Sequence, residues 1–123
     1  MKLVADANVL LSAVLGGQAK TVLQHPQIDE VLTAEATSAE IEAYVPILAN
    51  RKRLSLDSLL LAIAALPVTV VEKSIYSSSL PRARKLIAGR NADEVDILAL
   101  ALHTNLPLGR TTTILRKQGS KGT

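Results

Sequence analysis

The chain has 123 residues, of which 48% are hydrophobic, enough to build the core of one compact domain. It contains no cysteine, which excludes disulfides, thiolate metal sites and cysteine nucleophiles and leads us to expect a reducing, cytoplasmic setting. The formal net charge is +3, but four basic residues lie after residue 109, and without them it is −1 (3 − 4), so the body of the protein is not basic.

The N-terminal segment predicts a strand followed by a helix. KLVAD is a short β-compatible run that ends in an acid, and the apolar residues of ANVLLSAVL suit a helix packed against a sheet. Asp6 and Asn8 interrupt the apolar stretch too early for a signal-peptide core or a membrane span. We therefore expect a soluble protein without a membrane partner.

The middle of the chain alternates between strands and helices. DEVLTA and the valine-rich PVTVVEK predict two further strands. TSAEIEAYVPILANRKR predicts a helix with Thr37 near its cap and Pro46 kinking or interrupting it. SLDSLLLAIAAL predicts a third helix, capped by Ser55.

The last predicted elements complete the α/β pattern. A polar, partly helical connection, SIYSSSLPRARKLIAGR, is followed by an amphipathic helix that Asp93 can cap, and NLPL begins a fourth strand. Strands that alternate with helices predict a three-layer α/β/α sandwich around a central parallel sheet of about four strands.

Several acidic residues fall where the strands of such a sheet end: Asp6, Glu40, Asp93, Glu94 and Asp96. Ligand sites in parallel α/β sheets lie beyond the carboxyl ends of the strands, so these acids can meet there. Clustered carboxylates with few histidines suit Mg²⁺ or Mn²⁺. Such ions can hold a phosphodiester and activate water for in-line attack.

The same acids also have structural interpretations. Acids in the first turn stabilise a helix dipole, which would explain Glu40, Asp93 and Glu94. Asp96 can reach back in a capping box begun by Asp93. Asp6 lies between an apolar strand and an apolar helix, so it needs either a metal or a polar partner such as a helix amide.

Three stretches, in their order and spacing, resemble the PIN domain, a metal-dependent ribonuclease fold that includes the toxins of many prokaryotic toxin/antitoxin pairs. They are LVADANVLLSAVLGG, LTAEATSAEIEAYVPILA and RNADEVDILALALHTNLPL. The resemblance covers about residues 1–108, which we expect to form one domain. It implies cleavage of RNA phosphodiester bonds with Mg²⁺ or Mn²⁺ at about four acids, often in a homodimer, with a cognate antitoxin as a partner.

The family pattern transfers to individual residues of this chain. The resemblance implies that Asp6 is the first catalytic and metal-binding acid and Glu40 the second. Glu94 best matches the third acid, with Asp93 and Asp96 as close competitors. The family's third segment usually reads Arg-Asp-Pro-Asp-Asp, whereas this chain has RNADE, which leaves the third metal ligand open among these residues.

Two other positions of the family pattern differ in how well this chain matches them. Asn8 matches the polar, supporting position often found two residues after the first aspartate. The fourth acid should follow the last strand in a segment resembling Trp-Ser-Asn-Asp-x-Asp-Phe. Residues 109–123 contain no such segment and form an atypical basic tail.

A one-base deletion near codon 108 would explain this tail. When residues 109–121 are written in permitted codons and read from the last base of the Leu108 codon, they can encode WSNDDDFEEAGVK, which is the missing segment. The same hypothesis accounts for the complete lack of Trp and Phe and for the basic charge of the tail. The alternative is a divergent tail that ends in a basic extension.

The leading functional hypothesis is a PIN-type ribonuclease, weak or inactive in this chain because the fourth acid is missing. The alternative is a non-catalytic PIN-like module that binds RNA or a protein. A receiver-like or nucleotide-binding domain fits less well, since the chain has neither a phosphate loop nor paired acids directly after the first strand. Uptake of Mn²⁺ separates the first two hypotheses.

Overall fold

The computed structural model describes residues 1–16, 21, 23–87 and 93–109. The predicted basic tail, and with it the frameshift hypothesis, concerns residues that lie outside the described part, apart from Gly109. No helix in the described ranges is long and apolar enough to cross a membrane.

The elements alternate along the chain as the sequence predicts. In order they are β1 (Lys2–Ala5), α1 (Ala7–Val14), β2 (Glu30–Ala34), α2 (Glu35–Lys52), α3 (Leu56–Ala64), β3 (Val68–Val71), α4 (Lys73–Tyr76), a 3₁₀ turn (Ser77–Ser79), α5 (Leu80–Leu86), α6 (Asp93–Thr104) and β4 (Leu108–Gly109).

The four strands form one parallel sheet in the order β3-β2-β1-β4. Val4 of β1 pairs with Leu32 of β2 on one side and with Leu108 of β4 on the other. Parallel neighbours require crossover connections, which the helices supply. The predicted parallel sheet of about four strands is confirmed, and β1 is one of its two inner strands.

Side chains of β1 alternate between two cores, one on each face of the sheet. Leu3 and Ala5 pack in a cluster with buried residues of α1, α2 and α3. Val4 packs in the opposite cluster with residues of α4, α5 and α6. Because successive strand side chains point to opposite faces, this division shows a three-layer α/β/α sandwich. That predicted architecture is confirmed.

The predicted caps agree with the structure at one helix and not at another. Ser55 is the N-cap of α3, and its hydroxyl accepts a hydrogen bond from the Ser58 N–H at 3.3 Å. Thr37 is not the cap of α2, because the helix begins two residues earlier, at Glu35, directly after β2. The prediction was wrong here because it ignored the helix-compatible residues that connect the strand to Thr37.

Pro46 lies inside α2 without interrupting it. The proline removes one backbone donor, which deprives the carbonyl of residue 42 of its partner four residues later. Pro46 is on the exposed side of the helix, where water can satisfy that carbonyl, while Ile41, Val45 and Leu48 anchor the opposite side in the core. Tertiary packing therefore maintains the helix through the proline.

Candidate active site at the carboxyl edge of the sheet

Asp6 is positioned by its place between β1 and α1. It is the N-cap of α1, and its Oδ1 accepts a hydrogen bond from the Val9 N–H at 2.9 Å. Its own N–H donates to the Gly109 carbonyl at 3.4 Å, which ties it to the end of β4. The carboxylate is thus held at the carboxyl edge of the two strands, with a helix amide as one partner.

A cavity of about 150 Å³ opens beside Asp6. Residues from α1, α2 and α6 complete its lining together with Asp6: Ala7, Asn8, Thr37, Glu40, Glu94 and Ile97. The lining therefore contains three carboxylates from separate elements, those of Asp6, Glu40 and Glu94.

Thr37 and Glu40 reach the cavity from α2. They are three residues apart and therefore share one face of the helix. Thr37 is only 3% exposed, whereas Glu40 is exposed. Next to this face, Thr33 connects the ends of β2 and β1, because its buried hydroxyl donates a hydrogen bond to the Ala5 carbonyl at 2.9 Å. Thr37 was not predicted as a lining residue, although its spacing from Glu40 could have indicated it.

Of the three acids at the start of α6, the cavity contains Glu94. Ile97 lies on the same helix face, three residues later, and lines the cavity with it. Asp96 is not among the lining residues, because it accepts a hydrogen bond from the Tyr76 hydroxyl at 2.7 Å. Asp93 begins α6, but its side chain lies outside the described part of the structure.

Tyr76 makes this contact from a fully buried position. Burial raises the pKa of the Tyr76 phenol well above its usual range, and the hydrogen bond to Asp96 and its negative charge raise it further. The phenol therefore stays protonated and donates to Asp96 at neutral pH. Tyr76 was predicted to lie in a polar connection, yet it is one of only two Phe, Trp or Tyr residues in the chain, which is a signal for a core anchor.

The cavity supplies the kinds of donor that hard divalent cations prefer, namely carboxylate, amide and hydroxyl oxygens. Among the described residues, however, no group of three or more Asp, Glu, His or Cys side chains is arranged to hold a metal ion. Both histidines, His25 and His103, are exposed. The donor chemistry thus fits Mg²⁺ or Mn²⁺, while the side chains do not converge in this conformation.

Solved structures with the same fold include two from the VapC and VapBC systems. VapBC2 from Rickettsia felis, bound to a DNA fragment from their promoter, is 12% identical, with a TM-score of 0.65 over 94% of this chain and 92% of that chain. VapC20 from Mycobacterium tuberculosis, a sarcin-ricin loop cleaving toxin, is 17% identical, with a TM-score of 0.56 over 85% of this chain and 84% of that chain. At these low sequence identities, the two comparisons show a shared fold and carry no conclusion about function.

A search of curated proteins finds no significant match. The family model described as the PIN domain matches residues 4–109. This range covers most of the chain and includes all three carboxylates of the cavity, Asp6, Glu40 and Glu94. The chain therefore belongs to the PIN domain family.

Proposed function

We propose that this chain is a ribonuclease that hydrolyses RNA phosphodiester bonds with Mg²⁺ or Mn²⁺ at the cavity lined by Asp6, Glu40 and Glu94. The observation that carries the proposal is that carboxylates from three separate elements line one small cavity at the carboxyl edge of a parallel sheet. Carboxylate oxygens are the ligands that Mg²⁺ and Mn²⁺ prefer in proteins, so a cavity lined by three carboxylates supports a cation site.

The residues that would hold the ion are Asp6, Glu40 and Glu94. Glu40 is exposed and Glu94 is partly buried, and rotation of these long side chains would bring their carboxylates towards Asp6. When bound, the ion neutralises phosphate charge and promotes ionisation of a water molecule. Asp93 remains a candidate for a further ligand, whereas the position of Asp96 outside the cavity lining makes it the weakest of the predicted ligands.

The other residues of the cavity would orient the substrate. The Val9 N–H fixes the side-chain direction of Asp6, so this carboxylate is pre-oriented. Asn8 is exposed at the edge of the cavity, and its amide can donate to a phosphate oxygen. Thr37 lies deeper, and its hydroxyl offers a second donor.

We further propose that the protein is a toxin of a toxin/antitoxin pair, acts in the cytoplasm as a homodimer and binds a cognate antitoxin. The likeness in fold to VapC20, described as a loop-cleaving toxin, and to VapBC2 supports this assignment. The absence of cysteine from the chain is consistent with the cytoplasm.

The activity should be low, because residues 109–123 provide no counterpart to the fourth acid of the family pattern. Loss of a ligand's supporting partner alone typically lowers metal affinity or activity about 10–100-fold. We attribute the missing segment to the one-base deletion near codon 108. Sequencing the encoding DNA tests this cause, since codons unable to give Trp-Ser-Asn-Asp in the shifted frame would exclude it.

Calorimetric titration with Mn²⁺ tests the proposed site. Wild type should bind the ion, and Asp6→Asn and Glu40→Gln should each weaken binding by about tenfold or more. Glu42→Gln is the matched control for Glu40→Gln, because Glu42 is also exposed on α2 but lies outside this cavity. Equal weakening by both glutamine variants would show that general charge, not the cavity, attracts the ion.

The second candidate is a non-catalytic PIN-like module that binds RNA or a protein. The lack of a converged group of three metal-binding side chains among the described residues favours it. If neither wild type nor Asp6→Asn takes up Mn²⁺, while wild type still binds RNA or a protein partner, this second function replaces the first.

A further inference from the structure

Tyr76 lies at the junction of the two helices that carry Glu40 and Glu94. Its side chain is completely buried, and its hydroxyl donates to Asp96 Oδ2 at 2.7 Å. Asp96 is only two residues from Glu94, near the start of α6. A buried hydrogen bond to a carboxylate is charge-assisted and therefore among the stronger ones in proteins. Tyr76 thus attaches α4 firmly to the beginning of α6.

Two contacts of Lys73, three residues before Tyr76, complete the connection between α2 and α6. The Lys73 N–H donates to Glu35 Oε1 at 2.9 Å, which joins the first residue of α4 to the first residue of α2. The Lys73 Nζ lies 3.6 Å from Asp96 Oδ2. The short helix α4 is consequently bonded to the N-terminal turns of both α2 and α6.

We propose that Tyr76 is a positioning residue for the cavity. Its hydroxyl holds α4 against the first turn of α6, while Lys73 of the same short helix is bonded to the first residue of α2, so this bridge through α4 sets the separation between Glu40 and Glu94. The bridge does not touch the cavity itself, since neither Tyr76 nor Asp96 is among its lining residues. The link from this bridge to metal binding rests on the proposed nuclease function, whereas the bridge itself can be measured without a metal.

The first test is hydrogen exchange in Tyr76→Phe, which removes only the hydroxyl. The amides of Ile97 and Leu98 in α6 should exchange about tenfold faster or more than in wild type, and the Lys73 amide that donates to Glu35 should lose protection as well. The matched control is Tyr44→Phe, because the Tyr44 hydroxyl accepts a hydrogen bond from Arg51 of its own helix, at 3.1 Å. Unchanged exchange at Ile97 and Leu98 in Tyr76→Phe would overturn the proposal.

The second test is Mn²⁺ affinity, measured by calorimetry at a temperature where each variant is fully folded. Tyr76→Phe should bind about tenfold more weakly, the lower end of the cost of losing an outer-shell partner. Asp96→Asn retains an oxygen that accepts the Tyr76 hydroxyl and should keep more of the Mn²⁺ affinity than Asp96→Ala, which should resemble Tyr76→Phe. If the role of Tyr76 is purely structural, Tyr76→Phe and Asp96→Ala will be less stable than wild type but will bind Mn²⁺ as tightly as wild type does.

The outcomes separate this proposal from the proposed function. If wild type binds Mn²⁺ and Glu94→Gln does not, but Tyr76→Phe binds like wild type, the nuclease site stands and the positioning role is wrong. If wild type binds no Mn²⁺, the proposed function fails, and hydrogen exchange at Lys73, Ile97 and Leu98 alone decides whether the bridge exists. If Tyr76→Phe does not fold, Asp96→Ala provides the same two measurements.

Discussion

Replacing Asp6 separates its structural role from its proposed catalytic role. Its Oδ1 caps α1 by accepting the Val9 N–H, and its charge belongs to the cavity. Asparagine caps a helix about as well as aspartate, so Asp6→Asn should remain within about 0.5 kcal/mol of wild type in metal-free unfolding. Asp6→Ala loses the cap and should be about 1 kcal/mol less stable. For a domain of this size that difference lowers Tm by roughly 4 °C.

Urea unfolding without metal, followed by Mn²⁺ titration of the same samples, measures both roles of Asp6. Both variants should lose Mn²⁺ affinity, although only Asp6→Ala loses stability. Equal destabilisation by Asp6→Asn and Asp6→Ala would mean that the cap is not the structural contribution of this residue. Asp6→Asn that binds Mn²⁺ as tightly as wild type would refute the assignment of Asp6 as a ligand.

Three further predictions follow from single contacts. Folding raises the pKa of Tyr76, so the unfolded chain loses the phenolic proton at a lower pH than the folded protein does. The contribution of Tyr76 to stability is therefore present below about pH 10 and is lost at higher pH. In Tyr76→Phe, the urea midpoint should decline less steeply as the pH rises above this value. Ser55→Ala, which removes an exposed cap, should lower the free energy of unfolding by about 1 kcal/mol without affecting Mn²⁺ binding. Replacing all residues after Leu108 with WSNDDDFEEAGVK and its natural continuation should raise RNA cleavage. The Cβ of the new Trp at position 109 would lie 3.2 Å from Leu3 Cδ1, so this first side-chain atom requires a small shift of the Leu3 side chain. No gain in cleavage with that tail would contradict the frameshift explanation.

The parts of the fold that depend on local sequence could be predicted. Asp6 follows a short apolar strand and precedes an apolar helix, so its place at the carboxyl edge of the sheet follows from the pattern alone. Ser55 has the local chemistry of a cap and is one. The predicted start of α2 at Thr37 was wrong because the residues just before Thr37 are as compatible with a helix as those after it.

The parts of the site that depend on long-range packing could not be predicted. Asp93, Glu94 and Asp96 lie within one helical turn, and only the rotation of α6 against the rest of the domain decides which of them reaches the cavity. Asp96 is instead bonded to Tyr76, a residue 20 positions away in sequence. No local pattern in the polar segment around Tyr76 indicates this partner.

RNA cleavage in the presence and absence of Mn²⁺, compared between wild type and Asp6→Asn, tests the central claim most directly. We expect slow cleavage by wild type that requires Mn²⁺, stops when a chelator removes the ion, and is absent in the folded Asp6→Asn variant. Cleavage that persists in Asp6→Asn or in the presence of the chelator would show that the cavity lined by Asp6, Glu40 and Glu94 is not a metal-dependent nuclease site.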